Sequence, residues 1–219
     1  MAADHTLPVD EFNVATFTYK VIHEQPIFLD LFVPKTLPFG ERPVLIRFHG
    51  GFLVYGSRNN LQLTPPRILE YALENNLILV SCDYRLIPES NGIEILEDIE
   101  DAWSWVQSSL DKAIGTMTNG KSRADLQKVL LTGESAEQLE DNPQLALELP
   151  FIWLHHGNDD SEVPIEGSRK FVTKLRELSP KTKLRYTELE GAEHGFWSEI
   201  SLIQSGEWED GVKVLNTYL

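Results

Sequence analysis

One serine, Ser135, stands at the end of an apolar run, Lys128-Val129-Leu130-Leu131-Thr132, in the small-residue turn Gly133-Glu134-Ser135-Ala136. A hydroxyl is a weak nucleophile until a base removes its proton, so a serine so placed invites a search for a histidine and a carboxylate. Downstream, His156-Gly157-Asn158-Asp159-Asp160 offers two carboxylates, and Gly191-Ala192-Glu193-His194-Gly195-Phe196 offers an imidazole. In chain order these are Ser, Asp and His, each following an apolar run of strand character. If those strand ends converge, His194 can take the Ser135 proton while Asp159 or Asp160 holds the imidazole in the right tautomer. The chemistry this predicts is acyl transfer.

The elements that must position these residues follow from the hydrophobic pattern. Val14 to Ile22 and Pro26 to Val33 alternate as two strands of a hairpin, and Val44 to Phe48 is a buried strand running into His49-Gly50-Gly51. Pro65-Pro66 precede a helix over Arg67 to Glu74, and Leu77 to Cys82 returns as a strand. From Ile95, apolar residues recur at helical spacing through Leu96, Ile99, Ala102, Trp103, Val106 and Leu110, with Trp103 on the apolar stripe. Glu94, Glu97, Asp98, Glu100 and Asp101 occupy the other faces and read as a solvated acidic side. Gly115 to Arg123 reads as a polar linker, Glu137 to Glu148 as a weak helix broken at Asn142-Pro143, and Phe151 to His155 as a further strand. A helix over Ser168 to Leu178, a strand over Lys183 to Leu189 and a helix over Trp208 to Tyr218 complete the chain. Strands alternating with helices predict an α/β fold, a mostly parallel sheet flanked by helices, with function at the carboxyl ends of strands.

Composition narrows the classes of function. The 219 residues are 42% hydrophobic, enough for one domain over residues 1–219 that buries roughly 70% of its unfolded surface. A formal charge of −15 argues against nucleic acid as a partner and favours a neutral or cationic small molecule. The single cysteine, Cys82, excludes an internal disulfide and reads as core rather than nucleophile. With no leader-like N-terminus and no run long enough for a membrane span, a cytoplasmic soluble protein is expected. His155 and His156 are adjacent on a strand and point to opposite faces, so neither a metal nor a cofactor is expected. Trp153 and Trp197 read as core packing in preference to contacts with an acyl chain.

The chain resembles the α/β-hydrolases, and among them the hormone-sensitive-lipase-like carboxylesterases. Four features carry the resemblance: His49-Gly50-Gly51-Phe52 with Gly56-Ser57 behind it, Asp83-Tyr84-Arg85-Leu86-Ile87-Pro88-Glu89, Gly133-Glu134-Ser135-Ala136, and Gly157-x-x-Asp160-x-x-Val163-Pro164 with His194-Gly195-Phe196. The resemblance implies a serine hydrolase acting on small carboxylic esters, with Asp160 rather than Asp159 as the acid of the triad. It also implies an oxyanion hole from the backbone N–H groups of Gly51, Phe52 and Ala136. Phe52 stands where the related esterases commonly carry a third glycine. His49 and the stretch from Asp83 to Glu89 are expected to be scaffold, with Tyr84 and Arg85 bracing the loop.

Two departures matter. Glu137 stands where the elbow motif has glycine, and Ser135 and Asp160 are only 25 positions apart. That interval is too short for the expected helix, a further strand and a substrate-covering cap together. The fold is therefore expected to lack the cap and one core strand. The serine strand then abuts the Asp-bearing strand, the sheet keeps a gap, or a second chain fills it in a homodimer. The alternative function is a catalytically impaired hydrolase-fold protein, either a small-ligand binding module or a truncated form without turnover.

Overall fold

The first two strands, β1 (Phe12–Ile22) and β2 (Gln25–Pro34), form the expected antiparallel hairpin. Its two-residue turn places His23 and Glu24 at φ 47° and 66°, the left-handed pair that matches the twist of a hairpin. The computed structural model describes residues 7–60, 64–134, 151–195 and 206–218. Ser135, Ala136, Glu137, the weak helix expected over 137–148, Phe196 and Trp197 lie outside the described residues.

The chain divides after Glu134 into two compact units. In the first, β3 (Gly40–Phe48), β4 (Ile78–Cys82) and β5 (Ser122–Gly133) join the hairpin in a five-stranded sheet of order β1-β2-β4-β3-β5. β2 pairs antiparallel with β4, and β3 pairs parallel with both β4 and β5. α2 (Gly92–Thr118) covers one face, where Ala102, Val106, Leu110, Ala113 and Ile114 pack on Leu29, Leu31, Val44, Ile46, Ile78 and Val80. α1 (Pro66–Glu74) covers the other, where Leu69 and Ala72 meet Phe32, Leu45 and Leu79. Because each central strand is buried on both faces, it reads as a continuous apolar run. Each fully buried Leu or Ile there contributes about 1.5–3 kcal/mol. Cys82 lies in this core, and burial pushes its thiol pKa far up.

The structure corrects three expectations. The region expected as a linker from Gly115 to Arg123 is the last turn of α2 and the start of β5, joined by Asn119 in the left-handed conformation. The apolar stripe continues to Ile114 and Met117, and Gly40 to Pro43 recruit Ser122 to Asp125 into the sheet. Trp105, not Trp103, is the tryptophan of α2 that packs inward, its ring 5.3 Å from that of Phe17. Trp105 stands three positions after buried Ala102, whereas Trp103 is turned about 100° away and is exposed. Asp98, expected on the solvated side, is fully buried between Lys20 at 2.7 Å and Arg85 at 2.9 Å.

The second unit holds β6 (Phe151–Gly157) and β7 (Lys183–Leu189), a parallel pair connected through α3 (Ile165–Leu178) and followed by α4 (Gly206–Asn216). Trp153 packs against His155 and Arg185 and meets Gly211 of α4 so closely that a Cβ there would overlap its ring. It is a packing residue, as expected. Among the described residues no helix is long and apolar enough to cross a membrane.

Candidate active site

In the first unit, β3 ends at Phe48 and the chain enters the glycine turn. His49 is buried, its ring stacked on Tyr84 at 4.3 Å, and its Nδ1–H donates to the Gly50 carbonyl at 2.9 Å. The Tyr84 hydroxyl donates to the His49 carbonyl at 2.6 Å. Both residues are therefore scaffold, as the sequence suggested. Arg85 does its bracing lower down, through Asp98 and the start of α2.

The turn itself is left-handed through three residues: Gly51 at φ 123°, Phe52 at 56° and Leu53 at 59°. At Gly51 any side chain would overlap the Tyr55 carbonyl. Phe52 and Leu53 hold a conformation that costs a non-glycine residue about 1–2 kcal/mol. Two bonds offset that cost, from Val54 N–H and Tyr55 N–H to the Gly51 carbonyl at 2.9 and 3.0 Å. A third runs from Ile87 N–H to the Leu53 carbonyl at 2.7 Å. Backbone held in a sparsely populated region by this many contacts is common where a loop binds or polarises a ligand. The Phe52 ring is half exposed beside Tyr55.

Beside the turn lies a pair that the sequence did not reveal. Arg47 grips Glu134 with both arms, Nε to Oε1 at 2.7 Å and Nη2 to Oε2 at 2.8 Å, with side chains only 1% and 5% exposed. A third nitrogen, Nη1, donates to Ser81 Oγ at 3.0 Å. Gly50 N–H reaches Glu134 Oε2 at 3.4 Å, and Glu134 N–H donates to the Phe48 carbonyl at 3.3 Å. The residue before Ser135 is thus bonded to the strand and to the glycine turn. Replacing Glu134 with alanine strands a buried guanidinium and should cost about 3–5 kcal/mol in a denaturant titration. Replacing both residues, Arg47→Met with Glu134→Leu, should recover most of that loss; a cost below about 1 kcal/mol for Glu134→Ala would contradict the assignment.

In the second unit, the loop after β6 carries Asp160 and the loop after β7 carries His194. Gly157 lets these loops meet, since a Cβ on it would overlap the Ala192 carbonyl. Asp159 N–H donates to that same carbonyl at 3.1 Å. Glu193 ties the loops again, one carboxylate oxygen accepting from Ser161 N–H at 2.7 Å, Ser161 Oγ at 2.9 Å and His194 N–H at 2.9 Å.

The carboxyl in contact with His194 belongs to Asp160, with His194 Nδ1 2.8 Å from Oδ2 and the Asp160 side chain 6% exposed. Oδ1 accepts from the N–H groups of Glu162 at 3.0 Å and Val163 at 2.8 Å. Burial pushes the Asp160 carboxyl pKa up, but these N–H groups and His194 outweigh it and hold the pKa below the usual value. An ionised Asp160 keeps the proton of His194 on Nδ1 and leaves the lone pair on Nε2, the form a general base needs. Glu162 Oε2 lies 3.9 Å from that Nε2.

His155 and His156 do face opposite ways. His155 packs beside Trp153 with the rings tilted at 48°, and burial with the Arg185 charge pushes its imidazole down to about 4. His156 is on the Asp160 side. Among the described residues no cluster of three His, Cys, Asp or Glu side chains is arranged to hold a metal.

Comparison with known proteins places residues 45–136 in a match to the model of an α/β-hydrolase fold family. Over 127 residues the chain is 32% identical to a probable carboxylesterase, M8, of Phoma sp., covering 57% of this chain and 39% of that protein. A stretch of 102 residues is 32% identical to the non-reducing polyketide synthase Preu6 of Preussia isomera, 46% of this chain and 4% of the synthase. The chain thus spans well under half the length of these relatives. Among solved structures, esterase 2 of Thermogutta terrifontis, phosphoramylated by tabun, superposes with a TM-score of 0.67 at 18% identity, covering 100% of this chain and 99% of that one. The same esterase with propionate bound gives 0.66 at 17% identity, over 94% and 95% of the two chains.

Proposed function

The chain has an α/β-hydrolase fold, and from that premise we propose that it is a serine hydrolase cleaving small carboxylic esters. The observation that carries the reading is the pair of His194 and Asp160, a 2.8 Å contact on a carboxylate fixed by two backbone N–H groups. In the proposed reaction Ser135 Oγ attacks the ester carbonyl carbon while His194 Nε2 takes its proton. The N–H groups of Gly51, Phe52 and Ala136 stabilise the oxyanion. Collapse of the tetrahedral intermediate breaks the bond to the alcohol, which leaves with the proton from His194, and Ser135 is acylated. Water, deprotonated by His194, then releases the acid and regenerates the serine.

Similarity to the Phoma carboxylesterase supports the bond class. The propionate and butyrate complexes of the Thermogutta esterase support short acyl groups as a first trial. A net charge of −15 and a buried single thiol fit a cytoplasmic enzyme for neutral or cationic esters, with no role for nucleic acid. The reading is tested with p-nitrophenyl butyrate: saturable turnover is expected, and a folded chain with none would remove it.

A second reading rests on Glu137 in the elbow and the 24 residues between Ser135 and Asp160. It makes the chain a binding module without turnover, standing alone or paired as a homodimer. Saturable binding of butyrate with no hydrolysis would carry it.

A further inference from the structure

Asp160 Oδ2 has two imidazole neighbours. Besides His194, it lies 3.3 Å from Nε2 of His156, whose side chain is 2% exposed at the end of β6. The same Nε2 lies 3.0 Å from the Val163 carbonyl, and Nδ1 lies 2.7 Å from Ser168 Oγ on α3. The Val163 carbonyl can only accept, so Nε2 carries a proton and donates it there, with Asp160 Oδ2 alongside at 3.3 Å. In the tautomer that carries its proton on Nε2, Nδ1 is a lone pair and accepts from the Ser168 hydroxyl. Val163 is held at both of its peptide groups, its N–H by Asp160 Oδ1 and its carbonyl by His156.

We propose that His156 is a positioning residue: it locks the turn from Asp160 to Val163 and occupies one side of Asp160 Oδ2, so that the remaining side is aimed at His194. Ser168 fixes the tautomer in which it does so. The catalytic consequence rests on the serine-hydrolase reading, whereas the geometric claim about His194 and Asp160 does not. Chemically, a carboxylate with one bonded oxygen can still rotate about its Cβ–Cγ bond. With Oδ1 held by two N–H groups of the turn and one flank of Oδ2 filled by His156 from the strand, rotation is blocked and His194 Nδ1 meets an acceptor already in place. Rotation of Asp160 would release His194 to flip its tautomer and present Nε2–H, a donor where a base is required.

The test uses the full chain in three forms. His156→Phe keeps a flat ring of similar size and removes the donor; His156→Gln returns an N–H near the position of Nε2. Phosphonylation by a fluorophosphonate is expected to slow about 10- to 100-fold in His156→Phe. His156→Gln is expected to lie within about threefold of the native chain. For an ester substrate the loss should fall on kcat with KM unmoved, which a general loosening of the fold would not produce. Equal labelling rates in the native chain and His156→Phe would overturn the proposal.

If the native chain is not labelled at all, the hydrolase reading fails by itself, and the geometric claim is decided by proton NMR. A low-field His194 Nδ1–H resonance, present in the native chain and absent from His194→Ala, should shift or vanish in His156→Phe. Its persistence unchanged would overturn the proposal. Should His156→Phe not fold, Ser168→Ala leaves the imidazole in place and frees only its tautomer; labelling slowed about 2- to 10-fold supports the proposal and an unchanged rate overturns it.

Discussion

Substitution of Ser135 by alanine is expected to lower kcat for ester hydrolysis by about 10^4- to 10^6-fold while leaving the thermal unfolding transition in place. The reason for so large an effect with so little structural cost is the anchoring just before it. β5 runs into Gly133, and Glu134 is bonded through its side chain to Arg47 and through its N–H to Phe48. Removing one oxygen atom from the next residue disturbs none of those bonds. It does remove the proposed route to an acyl-enzyme, leaving the proposed oxyanion donors to supply the residual rate. A kcat within tenfold of the native value would show that the nucleophile lies elsewhere.

Replacing Asp160 with asparagine should cost about 10^4-fold in kcat. Asparagine keeps the shape and can still accept the N–H groups of Glu162 and Val163. It cannot supply the charge that holds the His194 proton on Nδ1. The imidazole then takes the wrong tautomer, or pays for its positive charge in the transition state without a partner. KM should change little, because in the proposed reaction Asp160 acts through His194, which it contacts, and not on the ester.

A stability readout accompanies this. Since the folded pKa of Asp160 is depressed, its ionised form stabilises the fold above the unfolded value, and that contribution is lost as pH falls through the folded one. The gap in unfolding free energy between the native chain and Asp160→Asn should therefore narrow as pH is lowered from about 5 to about 3. A gap that widened over that range would contradict a depressed pKa for Asp160 in the folded chain.

Much of this was legible in the sequence because it is local. Alternation in Val14 to Ile22 and the proline start at Pro66 report on nearest neighbours, and strand and helix appear there within a few residues of expectation. The spacing Gly157-x-x-Asp160 and Gly191-x-x-His194 put both side chains just past strand ends, and the structure brings them into contact. What was not legible depends on partners far along the chain. Arg47 and Glu134 are 87 positions apart, and either alone reads as a surface charge. Asp98 reads as solvated because its neighbours in sequence are acidic, while Lys20 and Arg85 decide its burial from a distance. His156, like His155, reads from sequence as a non-ligand. The alternation that argues against a metal is the same alternation that turns His156, and not His155, toward Asp160.

Every step of the proposed reaction depends on Ser135 being an activated nucleophile. The most direct measurement of that activation is intact-mass spectrometry after treatment with a fluorophosphonate, followed by mapping of the modified peptide. One adduct per chain, located on Ser135 and absent from Ser135→Ala, is the expected result. A folded native chain that takes no adduct, or takes it on another residue, would contradict it.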